Sequence, residues 1–305
     1  MTKTTSRSLG VVLLGLALVA TACGSDDNPT TTTASTAKGS ITIGAFNFPE
    51  SAILSNIYAG ALRTQGFTAT VRPNLGSREV VAPALEKGDI DAYFGYAATD
   101  LEFWNNNAGQ ATADAKATVG KLNDVLQPKG LLALDPAPAV DQNAFGVTQA
   151  TADKYNLKKL SDLTAVAGEL TLGGPPECPT RPFCGKGLED KYGITFKGFK
   201  ALDAGGPLTK TALKGGDIDV GLLFTSDAKG FVLLDDDKAL QNADAVVPVV
   251  KADKVDTEAR TLMNDVSAKL TSGDLSDLNE RVNVGKEDPD LVAESWLSQH
   301  GFPKK

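Results

Sequence analysis

Residues 85–96 read LEKGDIDAYFGY and residues 213–224 read LKGGDIDVGLLF, and this repeated pattern decides the fold. In each copy a helix-like stretch ends at a glycine, the residue that most often follows the end of a helix. The shared Gly-Asp-Ile-Asp motif then leads into a short apolar run, which is typical of a buried strand. Aligning the two motifs places Tyr96 opposite Phe224. The chain therefore contains two halves of similar design.

A second pair of similar segments precedes these motifs. Residues 41–44 read ITIG and residues 170–173 read LTLG, and each runs into a proline-containing turn before a helix start. Strands that alternate with helices form largely parallel sheets whose faces the helices cover. The sequence therefore predicts an α/β protein with two lobes, each a mixed, mainly parallel sheet flanked by helices. Such sheets bind ligands beyond the carboxyl ends of their strands, so a cleft between the lobes is the expected site.

Two extended segments, residues 143–148 and 246–250, are the predicted connections between the lobes. Two crossings make the first lobe discontinuous, so that it comprises residues 40–142 plus 247–305, with residues 143–246 as the second lobe. The end of the chain carries apolar residues at helical spacing and has no counterpart in the second half. We expect these C-terminal helices to pack against the first lobe.

The acidic composition and the scarcity of histidine limit the possible functions. The net charge of −8 argues against nucleic acid as a partner, because the phosphates would be repelled. The single histidine, His300, lies near the C-terminus, which makes a Ser-His-Asp triad implausible. The glycine pairs at residues 173–174 and 205–206 do not sit in the G-x-x-x-x-G-K-[ST] pattern of a phosphate-binding loop. The sequence therefore predicts a binding protein with no cofactor and no catalytic residues, rather than an enzyme.

The aspartates of the repeated motif could also be read as the paired carboxylates of a glycosidase. The sequence does not single out one such pair. We expect these side chains to flank strand entries and to face solvent or helix starts: Asp89, Asp91, Asp217 and Asp219.

The N-terminus has the features of an export signal. Lys3 and Arg7 precede an apolar run over residues 9–20, and residues 20–23 read ATAC. The run is shorter than the roughly 20 residues that a membrane-spanning helix needs, and its flanks are typical of a cleaved signal. The ATAC sequence resembles the lipobox of bacterial lipoproteins, which predicts lipidation of Cys23. The alternative is an ordinary secreted protein that is cut near Ala22.

On the lipoprotein interpretation, residues 1–22 are a signal peptide and residues 23–39 are a tether. The tether is rich in Ser, Thr and Asp and has no hydrophobic periodicity, so it is expected to be disordered. Two acyl chains hold a protein firmly on a membrane, and a flexible tether lets the folded part stand off it. The predicted location is the extracytoplasmic face of the cell membrane, with a lipid anchor.

Two further cysteines, Cys178 and Cys184, lie in the proline-rich segment PPECPTRPFC at residues 175–184. Outside the cytoplasm such a pair is expected to be oxidised to a disulfide. A loop this short would stabilise the fold by roughly 2–3 kcal/mol on the chain-entropy model. A zinc site is a poor interpretation, since two cysteines and one distant histidine do not supply four ligands.

The chain resembles the substrate-binding proteins of osmoprotectant ABC importers, whose ligands include glycine betaine, choline, carnitine and proline. The segments that carry the resemblance are residues 47–51, 84–91, 187–193, 216–219, 248–250 and 282–289. It implies a periplasmic-binding fold of the type with two interlobe crossings (type 2). It also implies a monomer that captures a small solute and delivers it to the permease and ATPase subunits of an importer.

The resemblance further implies that tyrosines surround a quaternary ammonium and that a basic side chain meets any carboxylate. Tyr96 falls at a family tyrosine, and Arg181 falls near a ligand-facing family arginine. Phe224 replaces a tyrosine, and Asn143 stands where many members have one. Near Asp244, where a further tyrosine is expected, no aromatic residue exists. Acidic or amide groups could therefore meet a cation or a polyol.

The predicted ligand-binding residues follow strand ends or match family positions: Phe48, Ser77, Tyr96, Thr99, Asp141, Asn143, Arg181, Phe224 and Thr225. Simpler interpretations stay open for several of them. Tyr96 and Phe224 could be core aromatics, and Ser77 could cap a helix. Arg181 could brace the disulfide loop or pair with Glu177.

Two functions follow from these patterns. The first is the solute-binding subunit of an ABC importer that captures a betaine- or choline-like osmolyte. The alternative is a lipid-anchored sensor that binds a polyol or an aromatic compound and has no transport role.

Overall fold

The computed structural model describes residues 38–303, in which two five-stranded sheets organise the chain. The first sheet consists of β1 (Lys38–Gly44), β2 (Phe67–Arg72), β3 (Ala92–Tyr96), β4 (Leu131–Ala133) and β10 (Val246–Lys251). The second consists of β5 (Asn143–Val147), β6 (Thr171–Gly174), β7 (Gly198–Ala201), β8 (Val220–Phe224) and β9 (Val232–Leu233). We call the body around each sheet the first and the second lobe. The predicted two-lobed α/β fold is confirmed.

Helices cover both sheets. The first lobe contains α1 (Pro49–Thr64), α2 (Arg78–Lys87), α3 (Ala97–Trp104), α4 (Ala115–Leu126), α8 (Thr257–Ser267), α9 (Ser272–Asn283) and α10 (Pro289–Gln299). The second contains α5 (Gln149–Tyr155), α6 (Gly185–Gly187) and α7 (Pro207–Gly215), with a π-helical turn at Leu188–Tyr192. Short 3₁₀ turns occur at Gln127–Lys129, Leu160–Ala165, Ala167–Glu169 and Cys178–Thr180.

The two sheets have the same topology. Their strand orders are β2-β1-β3-β10-β4 and β7-β6-β8-β5-β9. Within the described residues, four strands of each sheet run in the same direction, and one strand, β10 in the first sheet and β5 in the second, runs antiparallel between two of them. Each of these antiparallel strands directly follows a crossing between the lobes, so the crossings complete both sheets.

The crossings lie slightly earlier in the chain than the extended segments suggested. Residues 143–147 and 246–251 are strands inside the sheets. The chain passes between the lobes just before each of them, where Val140 and Ala245 form an antiparallel bridge and the Asp141 amide donates to the Asp244 carbonyl (3.1 Å). The exact lobe boundaries remain a prediction.

The repeated motif performs the same structural task in both lobes. The Asp91 carboxylate accepts the Thr42 amide hydrogen (2.8 Å), and the Asp91 amide donates to the Thr42 carbonyl (2.7 Å). Asp219 and Thr171 make the same two bonds, at 2.9 and 3.0 Å. The sequence predicts that all four motif aspartates flank strand entries and face solvent or helix starts, and the structure confirms the place at strand entries for Asp91 and Asp219. The second aspartate of each motif instead fastens the start of one strand to its neighbour, because a carboxylate can satisfy a strand-end amide.

A close approach explains a glycine near the end of one parallel strand in each lobe, Gly44 in β1 and Gly173 in β6. A Cβ atom on Gly44 would lie 2.5 Å from Ile90 Cδ1, and one on Gly173 would lie 2.4 Å from Ile218 Cδ1. The isoleucine of each motif therefore packs directly on the backbone of the strand beside it, which leaves no space for a side chain.

The C-terminal helices pack on the first lobe, as predicted. One buried apolar cluster joins Ile53 and Tyr58 of α1 to Met263 of α8, Leu275 of α9 and Trp296 of α10. Fully burying side chains of this size stabilises the fold by roughly 1.5–3 kcal/mol each. Between residues 38 and 303, every helix is too short or too polar to cross a bilayer.

Candidate functional site

A cavity of about 340 Å³ lies between the lobes, at the strand ends that the topology predicts. Its walls include most of the residues that the sequence analysis selected: Phe48, Ser77, Tyr96, Thr99, Asp141, Asn143, Arg181 and Phe224. Thr225 lies outside this cavity and instead donates to the Asp141 carboxylate (2.9 Å). Its predicted contact with the ligand is replaced by a contact with a wall residue.

Aromatic rings from both lobes meet around Phe48. The centroid of its ring lies 5.6 Å from that of Phe224, 6.3 Å from that of Tyr96 and 5.7 Å from that of Phe46. Phe48 precedes Pro49 at the first turn of α1, where proline fixes the entry of the chain into the helix. Clustered ring faces attract a cation, by about 0.5–2 kcal/mol per ring when water is excluded.

Glu50 is a buried carboxylate that bonds to one of these rings and to residues of both lobes. Only 4% of this residue is exposed, and its carboxylate accepts hydrogen bonds from the Tyr96 hydroxyl (2.6 Å), the Ser226 hydroxyl (2.9 Å) and the Asn279 amide. Burial raises its pKa, and these donors oppose that change. Tyr96 is therefore fixed by its hydroxyl, and a residue of the second lobe, Ser226, shares the same anchor.

Asp141 lies at the first crossing and is 3% exposed. Its carboxylate accepts the Thr225 hydroxyl (2.9 Å) and the Ser226 amide (2.8 Å). Burial raises its pKa well above the usual range, and the nearby charge of Glu50 raises it further. The crossing thus places an acidic side chain at the cavity wall and holds it with donors from the second lobe.

Asp244 lies at the second crossing, at the N-terminus of α3. It accepts the amide hydrogens of Ala98 (2.8 Å) and Thr99 (3.0 Å) and the Thr99 hydroxyl. Burial raises the pKa of Asp244 to about 6, although the bonds from Thr99 oppose this. A helix N-terminus stabilises an adjacent negative charge. Asp244 therefore satisfies the start of the helix and faces the cavity at the same time.

Arg181 connects the two lobes at the cavity wall. Its Nη2 atom donates to both carboxylate oxygens of Glu79 on α2 (2.9 Å each) and lies 3.1 Å from Glu177. The interpretation that Arg181 pairs with Glu177 is therefore confirmed, but the pair also lies at the cavity. Burial lowers the pKa of this guanidinium.

Ser77 and Asn143 bond to protein groups as well as lining the cavity. Ser77 occupies the N-cap position of α2, but its hydroxyl donates to Glu79 and caps no backbone amide. The interpretation of Ser77 as a cap is therefore confirmed for its position and is wrong for its side chain. The Asn143 side chain donates to the Phe183 carbonyl (3.1 Å).

The proline-rich loop that carries Arg181 brings Cys178 and Cys184 together as a pair, with their Cα atoms 5.2 Å apart. Both cysteines are buried in the core of the second lobe. The loop places Arg181 opposite Glu79.

Sequence reasoning missed Glu50, Glu79, Ser226, Asp244 and Asn279 as site residues. Glu50 belongs to the segment that carried the family resemblance, which was the one available signal. The other contacts join positions far apart in the chain: 176 residues separate Ser226 from Glu50, and 229 separate Asn279 from Glu50. No local pattern marks such contacts.

The charge on the cavity walls is predominantly negative. Two arginines and five carboxylates line it: Arg78, Arg181, Glu79, Glu102, Asp141, Glu177 and Asp244. Arg78 forms an ion pair with the buried Asp100. With this charge and its aromatic rings, the cavity is suited to a small organic cation.

The model of the family "substrate binding domain of ABC-type glycine betaine transport system" matches residues 39–299 of this chain. The chain belongs to this family. It is thus the extracytoplasmic substrate-binding subunit of an ABC importer, works with permease and ATPase subunits, and is not an enzyme. Membership favours the transport function over the sensor alternative.

Individual relatives cover nearly the whole chain. It is 28% identical to the glycine-betaine-binding protein of Pseudomonas aeruginosa, over 85% of this chain and 87% of the relative. It is also 28% identical to the carnitine transport binding protein OpuCC of Listeria monocytogenes, over 87% and 88%. A crystal structure of a glycine betaine/carnitine/choline ABC transporter superposes with a TM-score of 0.67 at 26% identity, over 87% of this chain and 99% of the other.

Proposed function

We propose that this protein captures a small quaternary-ammonium solute in the interlobe cleft. The observation that carries this proposal is the contact of Phe48 with Tyr96 and Phe224, rings from both lobes, above buried carboxylates. The names of its relatives, which bind glycine betaine or carnitine, support the same class of solute.

The chemistry of such a solute explains the composition of the site. A quaternary ammonium has no N–H donor, so ordinary hydrogen bonds cannot hold it. Ring faces attract it instead, more strongly when closure excludes water. The buried Asp244, which is ionised at pH 7, adds long-range attraction without needing a donor from the cation.

We propose direct ligand contacts for the eight predicted residues that line the cavity, and an indirect effect for Thr225 through Asp141. The lobes, residues 40–142 plus 247–305 and residues 143–246, open and close about the two crossings. A ligand favours closure only because the closed form brings both sets of contacts to it.

A thermal-shift screen of the purified protein with glycine betaine, choline, carnitine and proline tests this function, followed by calorimetry on each hit. We expect at least one quaternary ammonium to raise the unfolding temperature and to saturate a single site. If no quaternary ammonium binds, and a polyol or an aromatic compound does, the proposed solute class is wrong.

We also propose that residues 1–22 are cleaved as a signal peptide and that Cys23 is lipidated, with residues 23–37 as the tether. The tether predicted from the sequence ended at residue 39, but Lys38 and Gly39 belong to β1. Residues 1–37 lie outside the described part of the chain. The proposal rests on the Lys3–Cys23 pattern in the sequence. Mass spectrometry of the mature N-terminus should find a diacylglyceryl cysteine, and Cys23→Ser should release the protein from membranes. An unmodified N-terminus near Cys23 would favour the secreted alternative.

The exported protein is proposed to be a monomer in which Cys178 and Cys184 are oxidised. Light scattering after size exclusion should give the mass of one chain. Thiol labelling under denaturing conditions should leave both cysteines unmodified until a reductant is added.

A further inference from the structure

The basic groups at the cavity are already neutralised by the protein. Arg78 is paired with Asp100, and the Nη2 atom of Arg181 contacts both Glu79 and Glu177. Burial raises the pKa of Glu79, but the bonds from Ser77 and Arg181 outweigh it and hold the pKa below the usual range, so this carboxylate stays charged. Two negative charges therefore face the single positive charge of Arg181.

The remaining charged groups on the wall are hydrogen-bond acceptors. The carboxylate of Asp244, whose pKa of about 6 leaves it ionised at pH 7, accepts bonds and cannot donate. A ligand carboxylate would bring a like charge toward it, which disfavours binding. A ligand hydroxyl could donate to it.

Choline and glycine betaine separate these two effects. Both carry a trimethylammonium group of the same size, but choline ends in a hydroxyl group and glycine betaine in a carboxylate. The rings around Phe48 should attract the two trimethylammonium groups equally. A difference in affinity between choline and glycine betaine therefore measures the effect of the charged groups on the cavity wall.

We propose that Glu79 is a specificity-determining residue: by occupying Arg181 from the opposite lobe, it makes the cleft select cations that lack a carboxylate. This inference rests on the proposed function, because it names the preferred members of the same solute class. Glu79 acts on the ligand through Arg181, so it is a positioning residue whose effect appears in the ratio of two affinities.

Calorimetric titration of the purified protein with choline and with glycine betaine tests the inference. We expect the wild-type protein to bind choline about tenfold more tightly. Glu79→Gln should shift the ratio toward glycine betaine by about fivefold, because it removes one of the two negative charges that face Arg181. Glu79→Asp, which keeps the charge, should restore most of the preference for choline.

Glu86 supplies the matched control. It lies on the same helix, its side chain is 42% exposed where that of Glu79 is 44%, and its ion pair is with Lys129, away from the cavity. Glu86→Gln should leave the ratio unchanged. A general loss of closure in Glu79→Gln would weaken both ligands equally and also leave the ratio unchanged, which would overturn the inference.

Two other outcomes are decisive. If the wild-type protein binds glycine betaine as tightly as choline, the inference fails while the proposed function stands. If neither compound binds, the proposed solute class fails, and the inference fails with it.

Discussion

The strands that end at Tyr96 and at Phe224 occupy equivalent positions in their sheets. Of these two residues at the cavity, only Tyr96 has a hydroxyl group. Tyr96 donates to the buried Glu50 (2.6 Å), whereas the ring of Phe224 reaches the cluster through Phe48 alone, at 5.6 Å. At the other end of the same strands the lobes agree, because Asp91 and Asp219 each fasten the neighbouring strand.

This comparison separates the structural part of the repeat from its binding part. The motif aspartates bond to backbone groups that every sheet of this topology presents, so the two copies remain alike. The residues after the two strand ends meet different partners: Asp244 accepts the amides of Ala98 and Thr99 after Tyr96, whereas Asp141 accepts from Thr225 and Ser226 after Phe224. A symmetric scaffold thus holds an asymmetric site.

The largest expected effect is a difference between the contributions of Tyr96 and Phe224 to ligand binding. Tyr96→Ala should weaken choline binding by at least about tenfold, since it removes a ring that a hydrogen bond holds in place. Phe224→Ala should cost only about threefold, because that ring is less firmly fixed. Calorimetry gives the dissociation constants, and an unchanged circular-dichroism spectrum shows that both variants fold. Equal losses would mean that the two rings contribute equally.

A smaller effect should be the same in both lobes. Asp91→Ala and Asp219→Ala should each lower the free energy of unfolding by about 1–2 kcal/mol, because each leaves a strand amide without its acceptor. Urea unfolding measures the change. Asp89→Ala and Asp217→Ala are matched controls at exposed positions, and we expect changes within about 0.5 kcal/mol. A large loss in one lobe only would show that the repeat is not energetically equivalent.

The smallest expected effect is a change of choline affinity with pH. It depends on Asp244, which contacts α3 of the first lobe. Because the pKa of Asp244 is about 6, this group loses its charge as the pH falls from 7 to 5. Choline affinity should therefore fall by about threefold over this range, and Asp244→Asn should flatten the step. A step of the same size in Asp244→Asn would assign the titration to another group.

The same shift affects stability. The folded protein holds the Asp244 proton more tightly than the unfolded chain does, since its pKa is raised in the fold. This group therefore stabilises the fold at low pH, and that contribution is lost as the pH rises through about 6.

The sequence was sufficient for the features that depend on local pattern. Gly88 and Gly216 end helices with positive φ angles of 85° and 75°, and their flanking apolar runs form β3 and β8 as expected. Tyr96 and Phe224 were brought to one cavity by the same reasoning. Contacts across the lobes could not be predicted, because Asp244 meets Ala98 over 146 residues of chain and Arg181 meets Glu79 over 102.

A crystal structure of the protein with choline is the most direct test of the central claim, that rings of both lobes enclose one cation. We predict a trimethylammonium group within about 6 Å of the ring centroids of Phe48, Tyr96 and Phe224. Choline bound elsewhere, or rings of the two lobes that enclose no ligand in a saturated crystal, would contradict it.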